Sequence, residues 1–514
     1  MARLALLSVS DKTGLIDLAR SLIEEFGFDL ISSGGTAQAL LEAGLPVTKV
    51  ADYTGSPEIL GGRVKTLHPR IHGGILARRD LPQDVADLEN HQIRPIDLVV
   101  VNLYPFEQTI AKPGVTLAEA IEQIDIGGPA LLRAAAKNYA HLTVLCDPAG
   151  YKTYLQELRS NEGQASLEFR QACAQKAFLH TSGYDQAIAT YLLEATGEEL
   201  PLPQRFTLSG QKLHSLRYGE NPHQPAGWYQ TGTTPTGWAA ATKLQGKELS
   251  YNNLVDLEAA RQLIAEFTDT PVAAILKHTN PCGVALGNTL AEAYEKAFHA
   301  DSVSAFGGIV ALNRPIDAST ATALTQTFLE CVVAPSCTPE AEEILRAKSK
   351  VRVLILPDLS GGSQHTVKVV SGGFLVQAAV HSIDNPSQWQ VVTDLQPTPD
   401  QMEELLFAWK VAKHVKSNAI VVTRSSTTVG IGAGQMNRVG SVKIALSQAG
   451  EKAQGAILAS DGFFPFDDSV RAADAAGVSA IAQPGGSLRD QDSIAAANEL
   501  GLVMVFTGIR HFLH

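Results

Sequence analysis

Apolar residues in the first third of the chain occur in short runs, each followed by a polar loop and then by a segment with apolar side chains at helical spacing. The first two runs are residues 3–9 and 28–31. Two consecutive strand–loop–helix units predict a parallel sheet. Further runs at 97–101 and 142–145 are continuous, as is typical of strands covered on both faces. The first domain is therefore predicted to be an α/β domain.

A second region is predicted to begin after a proline-containing segment. Residues 151–195 have a helical pattern, and residues 197–203 combine a glycine with two prolines, which end helices. Further on, the motif at 304–308 precedes an Ala-Pro pair, a helix and a strand, and the motif at 460–464 precedes a Gln-Pro pair, a helix and a strand. This order indicates a diverged duplication that gives two α/β halves. The predicted domains are residues 1–197 and 204–514.

Composition and charge exclude several classes of protein. The chain has 514 residues, of which 45% are hydrophobic and 18% are charged, so it can bury several cores. A net charge of -12 argues against an extended nucleic-acid surface. The N-terminal apolar run is too short for a signal peptide, no apolar stretch has membrane-spanning length, and the five cysteines lack a Cys-x-x-Cys pair. We expect a cytoplasmic protein that binds neither nucleic acid nor a membrane.

In such an acidic chain, an anion has to be bound by a local cluster. Residues 33–36, Ser-Gly-Gly-Thr, lie where the second predicted helix starts, and helix N-termini bind phosphate through their N–H groups. The same four residues would also suit an ordinary strand-to-helix turn. However, Ser8, Ser10 and Lys12 follow the first strand, at the sheet edge where open parallel sheets bind ligands. Together the two loops predict an anion pocket.

Other polar groups of the first domain could serve the same pocket. Residues 61–74 carry five basic or imidazole side chains between two glycine pairs. A solvated basic loop is the alternative, although apolar residues embedded in the segment indicate that part of it packs. Tyr104, Asp125 and Lys137 are side chains that can transfer protons. Taken singly, Tyr104 is better explained as a core aromatic residue, Asp125 as a helix cap and Lys137 as a surface cation.

The second domain contains two further candidate segments. Residues 216–224 are dense in hydrogen-bonding side chains without apolar periodicity, which is unusual for a simple connector. Lys277 and His278 follow a buried apolar run, and a neighbouring cation favours the neutral imidazole that a general base needs. A packed histidine would not explain the adjoining lysine and the Asn-Pro pair. Zinc-dependent deamination would require a His-x-Glu and a Pro-Cys-x-x-Cys that are missing, so we expect no metal.

These motifs, taken in order along nearly the whole chain, resemble the AICAR transformylase/IMP cyclohydrolase family of purine biosynthesis. The matching segments are 8–12, 33–36, 62–69, 102–106, 217–219, 221–224, 277–278, 430–435 and 460–466. The resemblance implies an N-terminal domain like methylglyoxal synthase, with its core at about 1–146, that performs the cyclohydrolase step. It also implies a duplicated C-terminal domain like cytidine deaminase that performs formyl transfer.

The resemblance further implies a reaction and a set of site residues. The family transfers a formyl group from 10-formyltetrahydrofolate to AICAR, giving FAICAR, and then closes the ring to IMP with loss of water. His278 would shuttle a proton beside Lys277, and Lys65 would stabilise an oxyanion among Tyr104, Asp125 and Lys137. Residues implied to bind substrate in the first domain are Ser10, Lys12, Ser33, Gly35, Thr36, Arg63, Thr66 and Asn102. Those implied in the second are Arg217, Tyr218, Asn253, Phe306, Gly307, Asn418, Ile431, Phe463, Arg510 and His514.

The resemblance implies a homodimer whose transformylase site lies at the subunit interface. Two other classes of function remain open on the sequence. The chain could be a phosphate-ligand-binding regulatory module, because the N-terminal fold also occurs as an effector-binding domain. A structural or interaction protein would leave Lys277, His278 and the basic segment 63–72 unexplained. The bifunctional enzyme is the leading hypothesis.

Overall fold

The computed structural model of the chain describes residues 2–195, 202–232, 234–380 and 385–514. The chain divides into two compact units, Met1–Pro201 and Leu202–His514. Most of the predicted boundary segment, 197–203, lies outside the described residues. In the described part of the chain, no helix combines the length and the apolar character needed to cross a membrane.

The first unit is built on a five-stranded parallel sheet, as the sequence predicts, with strand order β3-β2-β1-β4-β5. The strands are β1 Arg3–Val9, β2 Phe28–Ser32, β3 Thr48–Lys49, β4 Leu98–Asn102 and β5 Thr143–Leu145. The helices are α1 Leu15–Glu24, α2 Gly34–Glu42, α3 Val50–Thr54, α4 Pro69–Leu76, α5 Pro82–Asn90, α6 Phe106–Ile110, α7 Leu117–Glu122, α8 Gly127–Lys137, α9 Tyr151–Ser160 and α10 Leu167–Ala195.

Both faces of this sheet are covered, which explains the uninterrupted apolar runs. Side chains of β1 alternate between two buried clusters, with Leu4 and Leu6 in one and Ala5 and Leu7 in the other. The chain moves outward from β1 through β2 to β3 and then returns to place β4 on the other side of β1. The carboxyl ends of β1 and β4 therefore form a topological switch point, where open α/β sheets bind ligands.

The second unit contains two six-stranded mixed sheets and two separate hairpins. Its strands are β6 Gln211–Leu216, β7 Ala226–Gln230, β8 Thr242–Gln245, β9 Val272–Lys277, β10 Asn280–Leu286, β11 Ile309–Leu312, β12 Cys331–Ala334, β13 Arg352–Ile355, β14 His365–Val370, β15 Gly373–Ala378, β16 Gln390–Val391, β17 Ile420–Thr423, β18 Thr428–Gly432, β19 Ile457–Ser460, β20 Ala480–Gln483 and β21 Val503–Phe506. Its helices are α11 Tyr251–Ile264, α12 Leu290–Ala300, α13 Ser302–Ala305, α14 Ala318–Leu324, α15 Pro339–Leu345, α16 Pro399–Ala412, α17 Arg438–Ala449, α18 Asp468–Ala475 and α19 Asp490–Leu500.

The two large sheets have the same topology, which confirms the predicted duplication. Their strand orders are β10-β9-β11-β12-β13-β8 and β18-β17-β19-β20-β21-β16. Each begins with an antiparallel hairpin, continues through three parallel strands and ends in a short antiparallel edge strand. One apolar cluster joins α11 and α16 to both sheets, and a separate cluster covers the other face of each sheet.

The first pair of motifs that suggested the duplication is nevertheless out of register, although the Ala-Pro pair at the end of β12 and the Gln-Pro pair at the end of β20 lie at equivalent places. Residues 304–308 precede β11, whereas residues 460–464 begin with the last residue of the equivalent strand β19. The match between these two motifs is therefore wrong, although the repeat itself is correct. The equivalent hairpins β9–β10 and β17–β18, which the sequence relates only loosely, are the better structural match. Short Gly-aromatic motifs recur in many loops, whereas strand order is set by the whole fold.

A pair of glycines shows what the duplication preserves physically. Gly283 in β10 lies against the backbone of α12, and Gly430 in β18 lies against the backbone of α17; a Cβ at either position would overlap a helix carbonyl oxygen. Replacing either glycine by alanine is expected to lower the free energy of unfolding by about 1–3 kcal/mol through overpacking. Urea unfolding measures this loss. The strand residue Gly373, which faces open space, provides the control, because G373A should change stability by less than about 0.5 kcal/mol.

Candidate active sites

The switch point of the first unit is shaped by two side chains of the predicted site. The N–H groups of Ser10 and Asp11 donate to Asn102 Oδ1 at 2.6 and 2.9 Å, and Asn102 Nδ2 donates to the Asp11 carbonyl at 2.8 Å. The buried Thr36 hydroxyl accepts from Val9 N–H at 2.9 Å and donates to the Val9 carbonyl at 3.0 Å. Asn102 and Thr36 therefore hold the loop after β1 in place from both sides.

Two lysines converge on the N-terminus of α2. A methyl group placed on Gly34 would lie 3.2 Å from Lys65 Nζ, and one placed on Gly35 would lie 3.8 Å from Lys12 Nζ. The first N–H groups of a helix have no acceptor within the helix, and its dipole favours an anion at this end. Two ammonium groups, free backbone donors and Cβ-free glycines therefore meet at one point. The residues that the sequence predicts for an anion pocket therefore lie together at this helix N-terminus.

The loop that carries Lys65 reaches a second helix N-terminus. Thr66 is buried, and its hydroxyl would lie 3.2 Å from a methyl group placed on Gly127, the first residue of α8. Lys65 also lies 3.5 Å from Glu58 Oε2. Adjacent residues of one loop thus contact the starts of α2 and α8. The neighbouring Arg63 points elsewhere, since its exposed side chain forms an ion pair with Glu122.

Asp125 lies just before α8 in a half-buried position. Its Oδ1 accepts from Gly128 N–H at 2.8 Å, and its own N–H donates to the Tyr184 hydroxyl at 2.8 Å. Burial raises the pKa of the Asp125 carboxyl, and hydrogen bonds from the backbone of Gly128, Tyr104 and Gly127 oppose that shift. The exposed Tyr104 is therefore connected to Asp125 through its backbone. Asp125 therefore accepts a hydrogen bond from the first turn of α8 while burial favours the protonated form of its carboxyl.

Lys137 lies at the opposite end of α8 from this cluster. It is ten residues beyond Gly127, or about 15 Å along the helix axis. There it lines a cavity of about 610 Å³ together with Arg133, Tyr139 and Phe178. The structure therefore brings Lys12, Lys65, Thr66, Tyr104 and Asp125 to one edge of the sheet but does not bring Lys137 to them.

In the second unit, Lys277 and His278 occupy the tip of the β9–β10 hairpin. Lys277 Nζ donates to the Phe306 carbonyl at 3.0 Å, which fixes the ammonium beside the exposed ring of Phe306. His278 is exposed and has φ of 53°, and Thr279 after it has φ of 63°. Positive φ at two consecutive non-glycine residues is uncommon and occurs preferentially at functional positions.

The second half of this unit contacts the same hairpin. Lys416 N–H donates to Asn280 Oδ1 at 3.0 Å, and Lys416 Nζ donates to the His514 carbonyl at 3.0 Å. Burial lowers the pKa of Lys416, and the charge of Lys368 in β14 adds to this effect. The chain segment that ends in His514 is thus connected to the Lys277–His278 hairpin through Lys416.

A network of buried polar side chains lies next to this region. Arg438 forms an ion pair with the fully buried Asp461, donates to Ser460 Oγ at 2.8 Å and donates to Asn418 Oδ1 at 2.8 Å. Asp461 Oδ2 also accepts from the Ser417 hydroxyl at 2.6 Å. Asn418, predicted to frame the substrate, therefore uses its side-chain oxygen within the protein.

The remaining residues considered for the second site each make different contacts within the unit. Arg217 lies over the Tyr218 ring and Arg510 over the Phe463 ring, at 5.4 and 4.8 Å from the ring centres. Asn253 is buried and caps α11 in a reciprocal pair with Ser250. Gly307, with φ of 73°, donates its N–H to the Phe328 carbonyl at 2.8 Å, and Ile431 packs on the shared apolar cluster. Glu330 pairs with Arg352 at 2.7 Å.

Sequence reasoning did not identify Arg438, Lys416 or Asp256, although all three contact elements of this site. Asp256 Oδ1 accepts the Thr279 N–H at 2.7 Å. Each of these residues lies far along the chain from the residue that it contacts. The pattern of neighbouring residues in the sequence therefore did not indicate the contact. A search for buried charged residues near predicted strand ends could have found Arg438.

The fold and the two clusters define a two-unit α/β protein with a pair of lysines at a helix N-terminus of a parallel sheet and a lysine–histidine pair on a duplicated domain. Comparison with family models matches residues 14–130 to the MGS-like domain and residues 135–448 to the AICARFT/IMPCHase bienzyme. The chain belongs to the AICARFT/IMPCHase bienzyme family. It is a bifunctional enzyme of purine biosynthesis with AICAR formyltransferase and IMP cyclohydrolase activities.

Full-length relatives agree with this assignment. The chain is 77% identical to the bifunctional purine biosynthesis protein PurH of Nostoc punctiforme and 74% identical to that of Rippkaea orientalis, with 100% of each chain covered in both cases. A solved structure titled "Crystal structure of ForH" is 40% identical over 36% of this chain and 95% of that chain, with a TM-score of 0.34.

Proposed function

We propose that the two units divide the two reactions between them, with ring closure in residues 1–197 and formyl transfer in residues 204–514. The compact units Met1–Pro201 and Leu202–His514 support this division, because each contains one of the two polar clusters. The observation that carries the proposal for the first unit is the convergence of Lys12 and Lys65 on the N-terminus of α2. For the second unit it is the exposed His278 beside the anchored Lys277.

Ring closure joins the carboxamide nitrogen of FAICAR to its formyl carbon, and water then leaves. As the new bond forms, the formyl oxygen gains negative charge before it is protonated. Lys65 stabilises that oxygen, in the way that preorganised cations stabilise developing oxyanions. Asp125 and Tyr104 are the proposed proton-transfer groups, whereas Lys137, at the opposite end of α8, is left out of the set. The nucleotide phosphate and ribose bind Lys12, the α2 N-terminus with Ser33, Gly35 and Thr36, the loop after β1 with Ser10 and Asn102, and Thr66 at the start of α8. Arg63 joins this set only by leaving its ion pair with Glu122.

Formyl transfer joins the 5-amino nitrogen of AICAR to the formyl carbon, and the bond from that carbon to the folate nitrogen breaks. His278 accepts a proton from the attacking amine and returns one to the leaving nitrogen, while Lys277 stabilises the tetrahedral oxyanion. Arg217 and Arg510 bind the nucleotide phosphate. The residues that frame the two substrates are Tyr218, Asn253, Phe306, Gly307, Asn418, Ile431, Phe463 and His514.

The formyl donor is 10-formyltetrahydrofolate, and the two steps as proposed use protein side chains as acids, bases and oxyanion stabilisers, so they require no metal. The protein acts in the cytoplasm on small molecules, without a nucleic-acid or membrane partner.

The proposed assembly is a homodimer with the transformylase site at the subunit interface. The β14–β15 hairpin supports this, because an isolated two-stranded sheet is marginal in water and this one exposes Val369 by 86% and Leu375 by 61%. The influence of Lys368 on Lys416 brings the hairpin close to the site. Sedimentation at assay concentration distinguishes a dimer from a monomer.

The proposal is tested with the purified full chain, AICAR and 10-formyltetrahydrofolate. Formation of FAICAR followed by IMP is the expected result, measured by chromatography of the nucleotides and by absorbance of the released tetrahydrofolate. If the chain only binds nucleotides and forms neither product, it is a regulatory module and the proposed function is wrong.

A further inference from the structure

Both halves of the second unit build their first hairpin around the same turn. In the β9–β10 hairpin, His278 and Thr279 have φ of 53° and 63°. In the β17–β18 hairpin, Ser425 and Ser426 have φ of 52° and 51°. Two consecutive positive φ values are the pattern of a type I′ turn, which usually depends on Asn or Gly. Because neither pair contains these residues, contacts from outside the hairpin have to stabilise each turn.

Each turn receives such a contact from a carboxylate on the helix that precedes its hairpin. Thr279 N–H donates to Asp256 Oδ1 at 2.7 Å, and Ser426 N–H donates to Glu404 Oε2 at 2.7 Å. Asp256 is the sixth residue of α11 and Glu404 is the sixth residue of α16, so the two carboxylates are structurally equivalent. Burial raises the pKa of both carboxyl groups, and the hydrogen bond from the turn opposes that shift.

The two turns differ in the side chains that they present. The first half has Lys277 and His278 where the second half has Arg424 and Ser425. The His278 imidazole lies near enough to Asp256 to lower the pKa of that carboxyl electrostatically, against the larger effect of burial. The same carboxylate-to-turn contact therefore supports a lysine–histidine pair in one half only.

Two contacts from outside the hairpin hold the residues on either side of the turn, since Lys277 Nζ donates to the Phe306 carbonyl and Asn280 Oδ1 accepts the Lys416 N–H. Within the hairpin, the Thr279 hydroxyl and Asn280 Nδ2 donate to the His278 carbonyl at 2.7 and 3.3 Å. Asp256 differs from these contacts because it accepts from the turn residue Thr279 itself and belongs to α11, whose Leu257 is buried in the shared apolar cluster. The Asp256 contact therefore connects the turn that carries the imidazole directly to the core.

We propose that Asp256 is a positioning residue for formyl transfer: by accepting the Thr279 N–H, it holds the left-handed turn that presents His278 to the reacting amine. This inference rests on the role proposed above for His278. Misplacement of a catalytic group by about 1 Å can cost a factor of about 100 in rate. The effect of removing Asp256 falls on kcat, because Arg217 and Arg510, which are proposed to bind the nucleotide phosphate, are on other elements.

The test compares D256A with E404A in the full chain. D256A is expected to lower kcat for formyl transfer by about 100-fold, with KM for AICAR changed by less than about threefold. Ring closure of supplied FAICAR by the same protein should be unchanged. E404A removes the equivalent contact from the turn that has no lysine–histidine pair, so its formyl transfer should stay within about twofold of wild type. D256E should recover most of the lost kcat, since Glu404 makes the same contact in the other half.

Three results would overturn the inference or its basis. If D256A retains wild-type kcat, or if D256A and E404A lose formyl transfer equally, Asp256 has only a structural role or none. If D256A does not fold, D256L replaces it, since leucine fills similar space without an acceptor. H278A is measured in parallel: if it retains formyl transfer, the proposed function of His278 is wrong, whereas an inactive H278A with an active D256A rejects only the present inference.

Discussion

Replacing His278 by alanine is expected to abolish formyl transfer while leaving ring closure of supplied FAICAR near the wild-type rate. A positioned acid–base group contributes a factor of about 10² to 10⁴, and His278 is asked to serve both the attacking amine and the leaving folate nitrogen. Its side chain is exposed at the tip of a hairpin, so removing it leaves no buried cavity. The rate of tetrahydrofolate release measures the first reaction, and conversion of FAICAR to IMP measures the second.

The control for this experiment is S425A, at the equivalent position of the second half. Ser425 has the same left-handed backbone but lies next to Arg424 rather than Lys277. It should keep both activities, since it belongs to neither cluster. Loss of both activities in folded H278A protein would contradict the division of the two reactions between the units.

The architecture of the first unit could be predicted because its signals are local. The apolar runs at 3–9 and 28–31 correspond to β1 and β2, and the polar loops after them lie at the carboxyl edge of the sheet. That Lys65 reaches the same edge could not be predicted from spacing. Lys65 lies about thirty residues beyond Gly34, in the segment between α3 and α4, and only the packing of that segment determines where its ammonium lies.

The duplication was detectable in the sequence, but its register was only partly so, because the first pair of motifs does not align. What the halves share is backbone geometry: two left-handed turns, two carboxylates that accept from them, and two glycines against which helices pack. These features tolerate different residues, as Asp256 and Glu404 illustrate. Hydrogen-bonding geometry can therefore persist where sequence similarity has been lost. A search for similar sequence motifs finds matches that say less about the duplication than this shared geometry does.

The charge of the protein shows the same difference between a property of the whole chain and a property of one site. A net charge of -12 argues against a nucleic-acid surface, yet both proposed substrates are anions. In the first unit, Lys12 and Lys65 provide the positive potential within a few ångströms of a helix N-terminus. Beyond about one Debye length, near 8 Å at physiological ionic strength, the acidic surface is largely screened from an anion held there. Local arrangement therefore outweighs the overall sign of the protein.

Replacing Lys65 by methionine is expected to reduce ring closure by a factor of about 10² to 10³, the usual effect of removing one preorganised oxyanion stabiliser. Methionine keeps most of the length and apolar volume of the lysine stem, so the loop that also carries Thr66 should keep its fold. Formyl transfer should be unchanged, and accumulation of FAICAR in the coupled reaction is the direct sign of the defect. K152M, at an exposed lysine of α9, is the matched control. If K65M closes the ring within about threefold of wild type, oxyanion stabilisation by Lys65 is rejected, and the α2 N-terminus with Asp125 has to carry the reaction.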